Sequence, residues 1–279
     1  MIFRNYMKKL IFSLLAAAVL FSCSDKPYVV VQVADAQLGF DAAVKGSLPG
    51  AEYVNDLTFE AEYLKKAVEA INEIKPDAVV FSGDQVHKPL DEQQWELFGE
   101  IISDIDQSIK VLHIPGNHDH NLSGGAVDPA PFTSRYGEDR FVHRERGVNL
   151  VGINTSLIYF NDAREHEQLE WLKTVLAKRR RSDVTLVFGH HPYFLHDIDE
   201  TDGHGQVDIS KRRAYFDLYK EMGVAAVYAG HLHESAEGEY EGIPMKTQTS
   251  SAYQLGEAKA SVRVITVSKE GVSDMALPL

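Results

Sequence analysis

Five short pieces of this 279-residue chain carry the side chains that metals prefer: Asp35-Ala36-Gln37, Gly83-Asp84, Gly116-Asn117-His118-Asp119, Gly189-His190 and Gly230-His231-Leu232-His233. They bring together carboxylates, side-chain amides and imidazoles, a donor set that suits Mn²⁺, Fe or Zn²⁺. No thiolate is among them, which argues against a structural zinc site built on cysteine. The donors suffice for two adjacent divalent cations. Such a pair needs a bridging ligand, which an aspartate supplies and a histidine does not, and it is suited to attack on phosphorus. Singly the pieces are weak, since Gly-Asp after a strand is common. The ordered set is what points to metal chemistry.

Most of the pieces directly follow an apolar, β-like run, so strands must position them. Residues 28–34 are β-branched and nearly continuous, as in a strand buried on both faces. Further strands are predicted over 77–82, 109–114, 149–154, 184–188 and 224–229. Helices are predicted from the Asn55-Asp56 cap to residue 74, with Leu64, Val68, Ile71 and Ile74 on one face, and over 91–107, 165–181 and 211–222. Trp95 and Trp171 fall in these helical patterns as core residues. After residue 230 the period changes, and 243–248, 261–268 and 271–277 read as strands without helices between them. Strand-helix alternation followed by a strand-rich tail predicts α/β layers with mixed sheets. The stretches 36–55, 120–140 and 196–210 are long for loops and would surround the strand ends. The acidic run through Asp197 and Asp202 reads as a solvated part of the last one.

With 44% hydrophobic and 25% charged residues the chain is of ordinary globular composition, and its length allows one large domain. A formal charge of -13 argues against a nucleic-acid-binding surface. It leaves a phosphorylated substrate open, because bound cations reverse the local field. Residues 1–22 read as a secretory signal: Lys8-Lys9, then an apolar run over 10–21 too short for an ordinary membrane-spanning helix. Leu20-Phe21-Ser22-Cys23 resembles a bacterial lipobox. That resemblance implies acylation of Cys23, a tether over 23–27, and a lipid anchor in the bacterial cell envelope outside the cytoplasm. Ser24 in place of an inner-membrane retention Asp favours the outer membrane. Cys23 is the only cysteine, so no intramolecular disulfide is available.

The ordered motifs resemble those of the calcineurin-like metallophosphoesterases, D-x-H, G-D, G-N-H-D/E, G-H and G-H-x-H, over residues 28–279. The first motif, here D-x-Q, is similar to the branch of calcineurin-like phosphoesterase domain-containing protein phosphatases. Gly83-Asp84-Gln85-Val86-His87, Ser156, Asp197-Ile198-Asp199-Glu200 and residues 250–256 support that placement. The resemblance implies a four-layer α-β-β-α sandwich with two mixed β-sheets. It implies a first metal held by Asp35, Gln37, Asp84 and His233, with Asp84 bridging, and a second held by Asn117, His190 and His231. His118 would be the general acid, with Asp119 orienting its imidazole. Hydroxide formed between the cations would attack phosphorus in line. At Gln37 an amide oxygen, a weaker neutral ligand, replaces the family's histidine. His87, His120, His191, His196 and Tyr253 lie near the motifs as candidate substrate contacts. The leading expectation is hydrolysis of phosphomonoesters on a small molecule or a protein. Phosphodiester or nucleotide hydrolysis is the alternative within the enzyme class, and a non-catalytic metal-binding surface lipoprotein the alternative outside it.

Overall fold

A computed structural model describes residues 26–123, 126–203 and 205–279. The signal segment and Cys23 lie outside the described residues. In chain order the elements are β1 (Tyr28–Val33), α1 (Phe40–Gly46), α2 (Thr58–Ile74), β2 (Ala78–Ser82), α3 (Glu92–Ile102), β3 (Lys110–Ile114), α4 (Ala130–Tyr136), β4 (Phe141–Glu145), β5 (Val148–Gly152), α5 (Thr155–Tyr159), α6 (Glu165–Ala177), β6 (Val184–Phe188), α7 (Ile209–Glu221), β7 (Val224–Ala229), β8 (Glu237–Tyr240), β9 (Ile243–Thr247), β10 (Ser261–Ser268) and β11 (Gly271–Pro278).

Two mixed sheets result, ordered β11-β10-β1-β2-β3 and β4-β5-β6-β7-β9-β8. β1, β2 and β3 run parallel in the first, and β5, β6, β7 and β9 in the second. Successive side chains on a strand point to opposite faces, so one apolar run feeds two cores. Val30, Ala78 and Val80 pack inward against Leu186, Phe188, Ala226 and Tyr228 of the other sheet. Val31, Val33, Val79 and Phe81 face outward onto Leu64, Val68 and Ile71 of α2 and Phe98 of α3. On the far side Val187 and Val227 meet Leu172 and Leu176 of α6 and Phe216 and Tyr219 of α7. Three apolar layers between four structural layers make the expected α-β-β-α sandwich. Among the described residues no helix is long and apolar enough to cross a membrane.

Element boundaries differ from the sequence expectations where local polar chemistry intervenes. The first long helix starts at Thr58, after Asp56 accepts the Thr58 amide at 3.0 Å. The helix expected over 91–107 is capped by Asp91, which accepts the amides of Gln93 and Gln94, but ends at Ile102. Two of the three long loops contain helices of seven residues, α1 and α4, too short to show a period. The antiparallel edge strands β4 and β8 also escape the sequence reading; their residues are largely exposed and lack an apolar run. Trp95 is buried as expected, whereas Trp171 is only partly so and lies under the Arg140 guanidinium.

Every parallel strand ends at the same edge of the sandwich, and tight exits bring their next residues together. Gly83 has φ +98°, and a Cβ there would strike the His190 ring. A Cβ at Gly116 would strike the carboxylate and amide of Asp84. Gly116→Ala is therefore expected to displace Asp84 and weaken Mn²⁺ binding at least about tenfold, with the helical circular dichroism unchanged. Unaltered affinity by titration calorimetry would contradict this close-approach argument.

His113 on β3 is stacked between Phe81 on the neighbouring strand, centroids 5.0 Å apart, and Tyr136, 4.1 Å away. Its Nδ1 has no partner, and burial pushes its pKa down to about 3. The unfolded chain takes up this proton near pH 6.5. Stability is thus fully present above that pH and is lost as pH falls towards 3. His113→Phe keeps the ring stack, so between pH 6.5 and 4.5 it should remove about 1.4 kcal/mol per pH unit from the slope of stability against pH. Urea melts across that range would show parallel slopes if the idea is wrong.

Candidate metal centre

Asp35 and Gln37 leave β1, Asp84 leaves β2, Asn117 and His118 leave β3, His190 leaves β6, and His231 and His233 leave β7. Asp35, Gln37, Asp84, His231 and His233 all have positive φ, from 42° to 75°. That left-handed region costs a non-glycine residue about 1 kcal/mol, so the surrounding bonds must hold it. The Gln37 amide donates to the Asp84 carbonyl at 2.8 Å and the Asp35 amide to the Gly83 carbonyl at 3.2 Å. Ser250 Oγ donates to the Asp35 carbonyl at 2.7 Å. In the other sheet the Gly230 amide donates to the His190 carbonyl at 2.9 Å, and Thr155 Oγ1 accepts the amides of His190 and His191, each at 2.8 Å. The His231 amide crosses between sheets to the Asp35 carboxylate at 3.0 Å.

These bonds aim side chains at one buried spot. His190 Nε2 lies 3.3 Å from Asp84 Oδ2, 3.2 Å from Asn117 Oδ1 and 3.2 Å from His231 Nδ1. Asp35 Oδ1 lies 4.0 Å from the same nitrogen and 3.6 Å from His233 Nε2. Backbone carbonyls fix two of the rings. His190 Nδ1 meets the Ser82 carbonyl at 3.0 Å and His233 Nδ1 the Tyr253 carbonyl at 2.6 Å. A carbonyl only accepts, so Nδ1 carries a hydrogen and Nε2 is the atom each ring would turn to a metal, the arrangement that metal-binding histidines use. Gln37 adjoins the cluster; its Nε2 is 3.5 Å from His87 Nδ1, while its Oε1 is buried with no partner.

The electrostatics call for positive charge. Burial raises the pKa of the Asp35 carboxyl, and His190 and His233 only partly offset this. Asp84 is buried as well, but His190 and His118 beside it more than offset the burial and hold its carboxyl far below the usual range. Burial also opposes charge on His190, yet Asp84 and Asp35 lift its pKa to about 9. Two buried carboxylates, imidazole rings fixed in orientation and an amide oxygen without a donor fit divalent cations: Asp84, His190 and His231 offer ligand atoms all within 4.8 Å of one another.

Asp119 departs from the expectation. It does not orient His118. Its Oδ1 accepts the amides of Gln85 at 2.9 Å and Val86 at 3.3 Å, and its Oδ2 accepts the Gly116 amide at 2.8 Å. The turn after β3 points this carboxylate back into the protein, where it clamps the exits of β2 and β3. The His118 ring is set by His87 instead: its Nδ1 meets the His87 carbonyl at 3.0 Å and the two rings stack at 4.6 Å.

The other candidate contacts divide. His87 and Tyr253 flank the centre, and Phe40, which the sequence reading missed, packs against His87, His233 and Tyr253 with centroids 5.0–5.5 Å apart. His120 and His191 are both buried, although His120 borders the same cleft as Asn117 and His118. His120 Nε2 faces Asn154 Oδ1 at 3.3 Å, and His191 is stacked on Tyr159 at 4.4 Å and on His231 at 4.3 Å. His196 is exposed, its backbone against Gly238 of β8. Glu200 folds the acidic run back on itself by accepting the amides of Leu195, His196 and Asp197. Thr155 carries no motif in the sequence; only the meeting of β5 and β6 exits reveals it.

The sequence profile of calcineurin-like phosphoesterases matches residues 53–235. The serine/threonine-protein phosphatase CPPED1 of Danio rerio is 31% identical over 260 residues, covering 88% of this chain and 83% of that protein. The cAMP/cGMP dual specificity phosphodiesterase of Mycobacterium tuberculosis is 26% identical over 233 residues, 81% of this chain and 68% of that protein. A dimetal phosphatase from Danio rerio shares the fold at 15% identity, with a TM-score of 0.58 over 90% of this chain and 98% of that one. Strand exits, donor set and these similarities agree: the chain belongs to the calcineurin-like phosphoesterase family and is a hydrolase acting on phosphoester bonds.

Proposed function

We propose that this hydrolase is a phosphomonoesterase that works with two divalent cations. The observation that carries the reading is the convergence on His190 Nε2 of Asp84, Asn117 and His231 within 3.3 Å, with Asp35 and His233 forming a second pair 3.6 Å apart beside it. Asp35, Gln37, Asp84 and His233 would hold one cation, and Asn117, His190 and His231 the other, with Asp84 shared. Bound there, the cations would neutralise phosphoryl oxygens and lower the pKa of water at neutral pH.

The chain's own residues supply the rest. The His87 carbonyl keeps the hydrogen of His118 on Nδ1, so Nε2 is the atom that carries a proton to the departing oxygen. The stacked His87 ring restricts how His118 turns. The Asp119 clamp fixes the backbone from Gly116 to Asp119, and with it the position of that acid. A carbonyl-fixed, partly exposed acid beside a donor cluster favours catalysis over passive metal binding. The monoester preference draws support from the relatives matched over the greater length, which are named as serine/threonine phosphatases.

With Mn²⁺ the protein should hydrolyse an aryl phosphomonoester, lose that activity in EDTA, and regain it on re-addition of metal. Asp84→Asn should lower kcat by at least about 10²-fold. Faster hydrolysis of the matching diester would sink the monoesterase reading, and hydrolysis undiminished by EDTA would sink the metal-dependent one.

We further propose that Cys23 is acylated and tethers the domain to the bacterial envelope, on the strength of Leu20-Phe21-Ser22-Cys23. Alkynyl-palmitate labelling in a bacterial host should mark the wild-type chain and not Cys23→Ala; equal labelling of both refutes it.

A further inference from the structure

His118 belongs to two spaces. Besides the donor cluster it borders, with Asn117, a cleft of about 350 Å³. One wall is the turn through Lys88, Pro89 and Leu90, and the other carries Leu122. Leu90 is 67% exposed and Leu122 38% exposed. Both walls are firmly held. The amides of His87 and Lys88 donate to the buried Gln94 Oε1 at 3.1 and 2.8 Å, and the Trp95 indole donates to the Pro89 carbonyl at 2.9 Å. Across the cleft, Asn121 and Asp128 exchange two backbone hydrogen bonds of 3.0 Å, pinning the base of the loop that carries Leu122. Two leucines are thus kept in water on a fixed frame next to the acid. Apart from the acid His118 itself, the cationic side chain of the lining is Lys88, whose Nζ lies 3.4 Å from the centre of the Tyr53 ring, a cation–π contact.

We propose that this cleft receives the alcohol of the substrate and selects an uncharged, apolar one of side-chain size, aromatic or branched alkyl. The inference rests on the phosphomonoesterase reading. A general acid must stand on the side of the departing oxygen, because that is where its proton goes. In the step, the bond from phosphorus to the alcohol oxygen breaks and a bond from a water oxygen to phosphorus forms. The His118 proton passes to the departing oxygen, and a proton of the attacking water restores it. Alcohol and inorganic phosphate result. The rest of the alcohol must then lie beyond His118, where Leu90 and Leu122 stand. Side chains of this kind favour apolar area removed from water. The lining holds no cluster of cations for a second phosphate, and a chain charge of -13 disfavours polyanionic alcohols.

The test compares benzyl phosphate with methyl phosphate, whose alcohols are of similar acidity, using the Mn²⁺-loaded full-length protein. Wild type should show a kcat/KM about tenfold or more higher for the benzyl ester, the effect of burying an aromatic ring. Leu90→Ser with Leu122→Ser should abolish most of that preference and leave methyl phosphate within about twofold. Hydrolysis of both esters with equal kcat/KM overturns the inference alone, as does an equal loss on both in the double variant. Preference for 4-carboxybenzyl over benzyl phosphate overturns the assignment to an uncharged alcohol. Hydrolysis of neither ester overturns the phosphomonoesterase reading and this inference with it.

Discussion

The structure is organised around two carboxylates, Asp35 and Asp84, held out of water at the seam between two sheets. Burying an unpaired charge is among the most unfavourable things a fold can do. Here the surrounding sequence concentrates imidazole rings against those charges and fixes ring orientation with main-chain carbonyls. The backbone bears further strain, since five of the nine non-glycine residues with positive φ among those described are donors of this cluster. Strain of that sort survives only where neighbouring bonds over-determine the chain. The hydrogen bonds linking the exits of β1, β2, β6 and β7 provide that determination.

Much of this was legible because the donors follow strands directly. An apolar β-branched run and the residue after it are adjacent in sequence, so Asp35, Asp84, His190 and His231 could be placed without any long-range information. The four-layer arrangement came from motif resemblance rather than from periodicity. Its physical signature, inward Val30 and Val80 against outward Val31 and Val79, is an uninterrupted apolar run in the sequence. Asp35 and Gln37 are joined to the site by the pairing of β1 with β2 and by their amides, which donate to the Gly83 and Asp84 carbonyls.

What stayed hidden depends on the direction in which a side chain leaves a turn. A carboxylate next to a histidine reads as an orienting partner, but in the turn after β3 Asp119 points inward and His118 outward. The same tight geometry sends His120 and His191 into the interior beside exposed or reactive neighbours. Short helices such as α1 and α4 lack the turns needed to display a period. Thr155 and the Tyr253 carbonyl act through a hydroxyl and a main-chain oxygen, which no spacing rule distinguishes from those elsewhere.

The cluster draws its donors from both sheets, and this gives the interior a second meaning. Below the site the sheets are kept apart by the side chains of Val80, Ile114, Leu186, Phe188 and Tyr228. At the edge they are joined by Gln32 reaching the Ala229 carbonyl and by His190 reaching the Ser82 carbonyl. The two sheets therefore behave like the arms of a caliper whose opening is set by hydrocarbon volume. A methylene added or removed between them, far from any reactive atom, changes the gap at the tips. The separation of Asp84 from His190 is in that sense a dimension of the core, measured at its rim.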